Sequence, residues 1–310
     1  MTIERINVKT SAEWHARRSR DVTASVVGAL FGEHEFVTPY ALWAFKSGRV
    51  TADPEETPAM LRGQLLEPVA VKLLRRLRPS WKIKHNTNPG DYWRDSEVRL
   101  GATPDVIAVD KKRGQGIVQI KSVEQGVFRR KWLAGGDLPE PPFWIAMQAV
   151  VEAYLTGSKW AAVAPIVVGH GVDMPIIDIP ILDGAVDRIR ERCGAFWELV
   201  ESGTEVVPDY SLDADLIERM YAREEGEEID LTRDNQIYEL IAERYRLKAD
   251  ATEVERKISA VEAEIKHKMQ GASIAHLAGG KKVTWLTQKR AGYFAPPKEF
   301  RVLRTPPPDA

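Results

Sequence analysis

Gly101-Ala102-Thr103-Pro104-Asp105, followed after a short variable turn by Ile117-Val118-Gln119-Ile120-Lys121-Ser122, decides how the rest of this 310-residue chain is read. The two pieces predict adjacent strands, at roughly 98–109 and 116–123. Side chains alternate faces along a strand, so Gln119 and Lys121 should share one face while Val118 and Ile120 point to the core. A carboxylate after a proline, an amide oxygen and a lysine on one sheet edge make a compact site for a hard cation and an attacking water. Mg²⁺ takes oxygen ligands. A bound metal can activate water and stabilise a phosphoryl transition state, and the lysine can orient that water or neutralise developing charge.

Outward from this pair the chain alternates in type. From Ala59 to Leu77, Met60, Leu61, Leu65, Leu66, Val69, Leu73, Leu74 and Leu77 recur at helical spacing. Glu67 sits in that run between Gly63 and Pro68, and the proline ring is expected to bend or interrupt the helix around 64–67. By itself Glu67 reads as a solvent-facing helix acid. Nearer the start, Ser11 is a plausible helix cap, and the basic cluster Arg17, Arg18 and Arg20 precedes Thr23-Ala24-Ser25 and the apolar 26–30. Thr23 or Ser25 could cap this second helix. Free amides there, with Arg18 and Ser25 nearby, would make an anion pocket; the plainer alternative is a capped surface helix. Thr38-Pro39-Tyr40 starts a short helix, and the polar 49–58 reads as a loop. Strand and turn are expected at 81–86 and 91–94. Residues 143–156 predict a buried helix carrying Gln148. Strands at 161–168 and 172–181 and an amphipathic helix at 182–201 complete a mixed α/β layer.

The charge is uneven. Lys and Arg total 44 against 45 Asp and Glu, a net of −1, but residues 1–135 carry +8, residues 136–230 carry −14 and residues 231–310 carry +5. The half bearing the candidate site is basic, which suits a polyanionic substrate. The lone Cys193 excludes an intramolecular disulfide and a cysteine-based zinc or iron–sulfur site. No apolar run reaches the roughly 18 residues of a membrane helix. A reducing cytoplasm, with no membrane partner, is the expectation.

Residues 202–230 are acidic and turn-rich. A long helix is expected from near Thr232 to before Gly271, with Ile237, Leu240, Arg244, Leu247, Ala251, Val254, Ile258, Val261 and Ile265 stepping by three and four, the seam of a coiled coil. Residues 273–277 and 282–286 around Gly279-Gly280 predict a β-hairpin, followed by a basic and then proline-rich tail.

In order, Glu67, Pro104-Asp105, Gln119-x-Lys121 and Gln148 resemble the PD-(D/E)XK nuclease superfamily. More narrowly, Arg18 with Thr23-Ala24-Ser25, Gly63 to Glu67, Gly101 to Asp105, Gln119 to Lys121, and Gln148 with Leu155-Thr156-Gly157 resemble its YqaJ-type viral recombinase branch, the phage lambda exonuclease family, over roughly 15–170. The resemblance implies a restriction-endonuclease-like core, a mixed central sheet flanked by helices, over 1–204. An acidic connector at 205–231 and a coiled-coil helix, hairpin and tail at 232–310 would follow.

The resemblance also implies roles. Asp105 would be the central metal ligand, with Glu67, Gln119 and the Ile120 carbonyl completing the set. Lys121 would position the water, and Gln148 would support the site or touch DNA. Arg18 and Ser25 would bind a terminal 5′ phosphate. The ion would be Mg²⁺, with Mn²⁺ as a substitute. The activity implied is 5′→3′ exonuclease action on double-stranded DNA ends in phage-type recombination. A single-strand annealing protein and further copies of the chain would be its partners, in the cytoplasm of a bacterium carrying a phage or prophage. Two positions depart from the family pattern: Gln119 stands where an acid is usual, and Val150 where a second glutamine is frequent. Gln119 supports one alternative, a catalytically weak or inactive DNA-binding or assembly protein; an endonuclease of the same fold is another. A coiled-coil scaffold is a third.

Overall fold

The computed structural model describes residues 2–51, 57–87, 90–224, 226–292, 294 and 299–307, so part of the loop expected at 49–58 lies outside the described residues. Two compact units divide the chain, 1–220 and 221–310.

The first unit opens with β1 (Ile3–Asn7), α1 (Ser11–Arg20) and β2 (Val22–Thr23). Thr10, not Ser11, caps α1, its side chain accepting from the Glu13 amide. The apolar stretch Ala24–Phe31 forms a 3-10 helix, and Thr23 before it makes no side-chain cap. Next come α2 (Pro39–Lys46), capped by Thr38, and α3 (Pro58–Leu77), capped by Thr57. Helix α3 runs through Pro68 without the expected interruption. Neighbouring helical hydrogen bonds hold the segment although the proline nitrogen donates none. Only Ala70, Val71 and Leu74 of α3 are buried, while Met60, Leu61, Leu65, Val69 and Leu77 are exposed.

The sheets follow: β3 (Lys82–His85), β4 (Asp91–Asp95), β5 (Leu100–Ala102), β6 (Val106–Asp110) and β7 (Gly114–Glu124). The short turn α4 (Gln125–Val127), α5 (Phe143–Thr156), β8 (Trp160–Val168), β9 (Val172–Asp173), β10 (Ile177–Ile179), α6 (Ala185–Ser202) and α7 (Ala214–Met220) complete the unit. One sheet has four strands in the order β1-β4-β5-β2. The other has six, in the order β10-β8-β7-β6-β3 with β9 beside β8. The β7–β8 pair is parallel and β6–β7 antiparallel, so the central sheet is mixed. Residues 205–220, expected within a connector, include α7. Its Leu216 is buried in the core, and Asp213 accepts a hydrogen bond from the Thr38 hydroxyl at 2.5 Å.

The strand expected at 98–109 is two strands in two sheets. Leu100–Ala102 pairs with β4, and Val106–Asp110 pairs with β7. Pro104 has no N–H to give a ladder, so the chain changes sheets there and leaves Asp105 at the hinge. Gly101 is required by packing: a Cβ on it would lie 1.8 Å from the Tyr92 hydroxyl.

Both faces of β7 are covered. Ile117 and Val123 join the core built on α5 and the 3-10 helix, while Val118 and Ile120 join the one built on α3. Gln119 and Lys121 share a face as expected, but that face is also interior, and Gln119 is only 4 % exposed. A parallel pair covered by helices on both sides buries both faces of its strands.

The second unit contains α8 (Asn235–Met269), capped by the Asp234 side chain, and the hairpin β11 (Ile274–His276) and β12 (Lys282–Thr284). Seam residues Leu240, Leu247, Val254, Ile258, Val261 and Ile265 are exposed. Arg244 donates to the Thr305 hydroxyl at 3.0 Å, and Tyr245 to the Thr305 carbonyl at 3.1 Å.

Candidate active site

The sheet change at Pro104 brings the candidate residues to one cleft. Asp105 stands beside the β7 backbone, its Oδ2 accepting the Ile120 amide hydrogen at 2.8 Å. Burial and the nearby Glu67 carboxylate push its pKa up to about 7, against the opposing pull of Lys121 and the Ile120 hydrogen bond. Glu67 reaches the same cleft from α3 and is held by His85, whose Nε2 lies 2.7 Å from Glu67 Oε1. It is no free solvent-facing acid, since its side chain is 29 % exposed.

Gln119 has an unequal environment. Its Nε2 donates to the Ile120 carbonyl at 3.4 Å, while its buried Oε1 has no partner. The two ends of an amide are nearly indistinguishable in shape. A half-turn would set Oε1 beside the Ile120 carbonyl oxygen, an arrangement that a cation between two oxygens favours. The donor set is thus two carboxylates, an amide oxygen and a peptide carbonyl, all hard oxygens suited to Mg²⁺. Among the described residues no three His, Cys, Asp or Glu side chains group as a metal site, so an ion here would also need the amide and peptide oxygens. These residues fit the ion.

Lys121 donates to Gln148 Oε1 at 2.8 Å. Burial lowers the lysine's pKa, opposed by Asp105 and Glu152. Its ammonium lies 5.5 Å from the centre of the Trp144 ring, which packs on His34 at 4.5 Å and Phe36 at 6.1 Å. Gly28 permits that wall, because a Cβ there would come within 2.7 Å of Trp144 Cβ.

Arg18 and Ser25 meet as expected, with Arg18 Nη2 donating to Ser25 Oγ at 3.2 Å. The guanidinium lies 4.3 Å from the centre of the Trp14 ring, and Trp14 Nε1 donates to Thr103 Oγ1 at 3.1 Å, tying α1 to the Pro104 hinge. Burial lowers the pKa of Arg18. Lys46, which the sequence did not single out, donates to the Arg18 carbonyl at 2.6 Å. Burial and the Arg18 charge push its pKa down to about 8. Converging, partly desolvated cations are a setting for a phosphate.

Two other residues escaped sequence reasoning. His85 sits at the end of β3 opposite Val106, and only the strand pairing brings it to Glu67. Glu152 is 1 % exposed on α5 and accepts from Gln148 Nε2 at 2.8 Å. Its signal was available: an acid in the middle of an apolar helix, four residues after Gln148. Of the six buried side-chain polar atoms without a partner among the described residues, five belong to residues in or beside this cleft: Arg62 Nε, Gln119 Oε1, Ser122 Oγ, Trp144 Nε1 and Glu152 Oε2. Such atoms are costly to leave unpaired, so their concentration here separates the cleft from the rest of the core.

Residues 13–159 match the family model of the YqaJ-like viral recombinase domain. The chain is 24 % identical over 277 residues to the Bacillus subtilis (strain 168) protein YqaJ, covering 88 % of this chain and 82 % of YqaJ. Among solved structures it is similar to the alkaline exonuclease LHK-Exo from Laribacter hongkongensis, at 20 % identity and a TM-score of 0.47, covering 62 % of this chain and 94 % of that one. A phage-related exonuclease from Haemophilus somnus 129PT aligns at 16 % identity and a TM-score of 0.42, over 59 % of this chain and 94 % of that one.

Proposed function

We propose that this chain, through its YqaJ-like viral recombinase domain, is a metal-dependent DNA nuclease and acts as a 5′→3′ exonuclease on double-stranded ends. The observation that carries the reading is the convergence of Asp105, Glu67, Gln119, the Ile120 carbonyl and Lys121 on one cleft, with Arg18 and Ser25 on a second, cationic group of residues. Asp105, Glu67, Gln119 and Ile120 would hold Mg²⁺, or Mn²⁺ in its place. The ion supplies an activated water and charge stabilisation at the phosphoryl oxygens. Lys121, fixed by Gln148, donates toward the water or the scissile phosphate. Arg18 and Ser25, backed by Lys46, bind the terminal 5′ phosphate and set which end enters. The Trp144, His34 and Phe36 wall offers aromatic faces to bases near the cleft.

The same reading gives double-stranded DNA ends as substrate, in a bacterial cytoplasm. A single-strand annealing protein or further copies of this chain would occupy the acidic 202–230 segment or the exposed α8 seam.

One observation favours a second reading. Gln119 contributes no charge, leaving only two carboxylates for the ion, and a chain that binds DNA without cutting it would tolerate that. The test is digestion of linear, 5′-phosphorylated duplex DNA with Mg²⁺, beside closed circular DNA, with Lys121→Ala as control. Loss of the linear substrate alone, absent in the variant, supports an end-dependent nuclease. Cutting of the circle means an endonuclease. Retained DNA binding without cleavage in Mg²⁺ or Mn²⁺ selects the second reading.

A further inference from the structure

Glu152 is a buried carboxyl whose presence the packing alone does not explain. It lies one helical turn after Gln148 on α5, among Ala149, Val151 and Leu155, all buried. One of its oxygens accepts from Gln148 Nε2 at 2.8 Å, and the other is buried without a partner. Gln148 in turn presents its own oxygen to Lys121 Nζ at 2.8 Å. The three side chains form a line: carboxyl, amide, ammonium.

The amide in the middle has two ends of nearly equal shape, and only one orientation works. An ammonium has donors alone, so it needs the amide oxygen. Nothing in the amide itself selects that orientation. The carboxyl at the far end does, because ionised or protonated it keeps a carbonyl oxygen that accepts, and so draws the NH₂ group toward itself. With an aliphatic side chain at 152, the amide loses its acceptor and can turn its NH₂ toward Lys121, donor against donor.

We propose that Glu152 is a positioning residue that fixes the Gln148 amide with its oxygen toward Lys121, and so holds the lysine ammonium in the cleft beside Asp105. This inference deepens the nuclease reading and rests on it for its kinetic arm. Removing the carboxyl alone leaves Gln148 Nε2 buried without an acceptor, a cost in stability that is partly offset because the second Glu152 oxygen has no partner to lose. A positioning role therefore shows in kcat per folded molecule and in the environment of Lys121, which a packing role alone does not move.

The experiment compares Glu152→Leu, Glu152→Met and Glu152→Gln in the full-length chain. Three quantities are read: kcat and KM on 5′-phosphorylated duplex with Mg²⁺, Tm, and the rate at which an amine-reactive ester labels Lys121, followed by peptide mass spectrometry. In E152L and E152M, kcat should fall about tenfold or more with KM little changed. Measured well below the Tm of each variant, Lys121 labelling should change severalfold. E152Q keeps an acceptor toward Gln148 and should restore most of kcat and the parental labelling rate.

A kcat loss in E152L and E152M that disappears when activity is expressed per folded molecule would make Glu152 a packing residue and overturn the proposal. So would parental labelling of Lys121 in those variants, or an E152Q as impaired as E152L. If the parent chain cuts no DNA, the nuclease reading fails, and the labelling results still decide the role of Glu152.

Discussion

Asp95 and Asp105 lie ten residues apart, and their carboxylates meet opposite surroundings. Asp95, at the end of β4, accepts hydrogen bonds from the Tyr154 hydroxyl at 2.7 Å, Arg190 Nε at 2.8 Å and the Glu97 amide at 3.1 Å. Burial works to raise its pKa, but these bonds outweigh it and hold the carboxyl below its ordinary value. Asp105 accepts one backbone hydrogen bond, faces another carboxylate and is pushed up. The contrast extends to their neighbours. Asp21 in the four-stranded-sheet region is bound by Arg94 and the Tyr92 hydroxyl, and Asp91 there by Arg5, Asn7 and Lys84. In the cleft, Glu152 and Gln119 each keep an oxygen without a partner. Acids that the chain completes for itself hold the fold together. Oxygens that it leaves unpartnered, on acid or amide, keep acceptor capacity for something else, at a cost in stability.

The largest expected effect breaks or confirms this division directly. Asp105→Asn and Lys121→Ala should each lower the rate of DNA digestion about a thousandfold, the scale on which a charge acting at the transition state is felt. Asp105→Asn should leave Tm unchanged or raised, since it removes a disfavoured negative charge beside Glu67. A Tm that falls for Asp105→Asn would place Asp105 with Asp95 and dissolve the comparison.

The converse is Asp95→Ala. It leaves Arg190 and Tyr154 without their shared acceptor, and the loss should be about 3 kcal/mol of unfolding free energy, as for one partner of a buried pair. Calorimetric unfolding measures it, and digestion per folded molecule should stay at the parental rate. A weaker effect is expected at the cationic group. Arg18→Ala should reduce the preference for 5′-phosphorylated over 5′-hydroxyl ends about tenfold, as befits one charge-assisted hydrogen bond. Equal rates on both ends in the parent chain would remove Arg18 from that role.

The sequence shows the acids of the cleft more readily than the reason they are incomplete. Alternation marked β7, and helical spacing marked α5 with the bounds the structure has, because both patterns are local. Gln119 and Lys121 could be placed on β7 and Gln148 on α5 from those patterns, and Asp105 from the proline before it; their specific roles came from the family resemblance. The sheet change at Pro104 was not, since the proline marks a break in a ladder without saying which strand lies on either side. The burial of both faces of β7 was hidden because Gln119 and Lys121 read as a wet edge. Their cover comes from the 3-10 helix and α5, distant in sequence. His85 reaches Glu67 only through the β3–β6 register. Glu152 was passed over because one acid barely disturbs so apolar a helix, although that apolarity was the reason to notice it.

The smallest effect sharpens the completed side of the comparison through pH. Burial tends to raise the pKa of Asp91, but hydrogen bonds from Asn7, Arg5 and Lys84 overcome it and bring the value down to about 2, from an ordinary 3.8. A carboxyl depressed by folding binds its proton more readily in the unfolded chain. Its contribution to stability is therefore complete above pH 3.8 and disappears as pH falls through about 2. Arg5 and Lys84 have side chains 56 % and 57 % exposed, so solvent screens the pairs, and about 1 kcal/mol is the expected size. Tm followed from pH 5 to pH 2 should fall less steeply in Asp91→Asn than in the parent, and the two curves should converge at the acid end. Parallel curves across that window would mean that the unfolded chain lowers the Asp91 pKa as much as the fold does. Asp91 would then leave the group of acids that the fold completes, with Asp21 and Asp95 remaining to carry the contrast with the cleft.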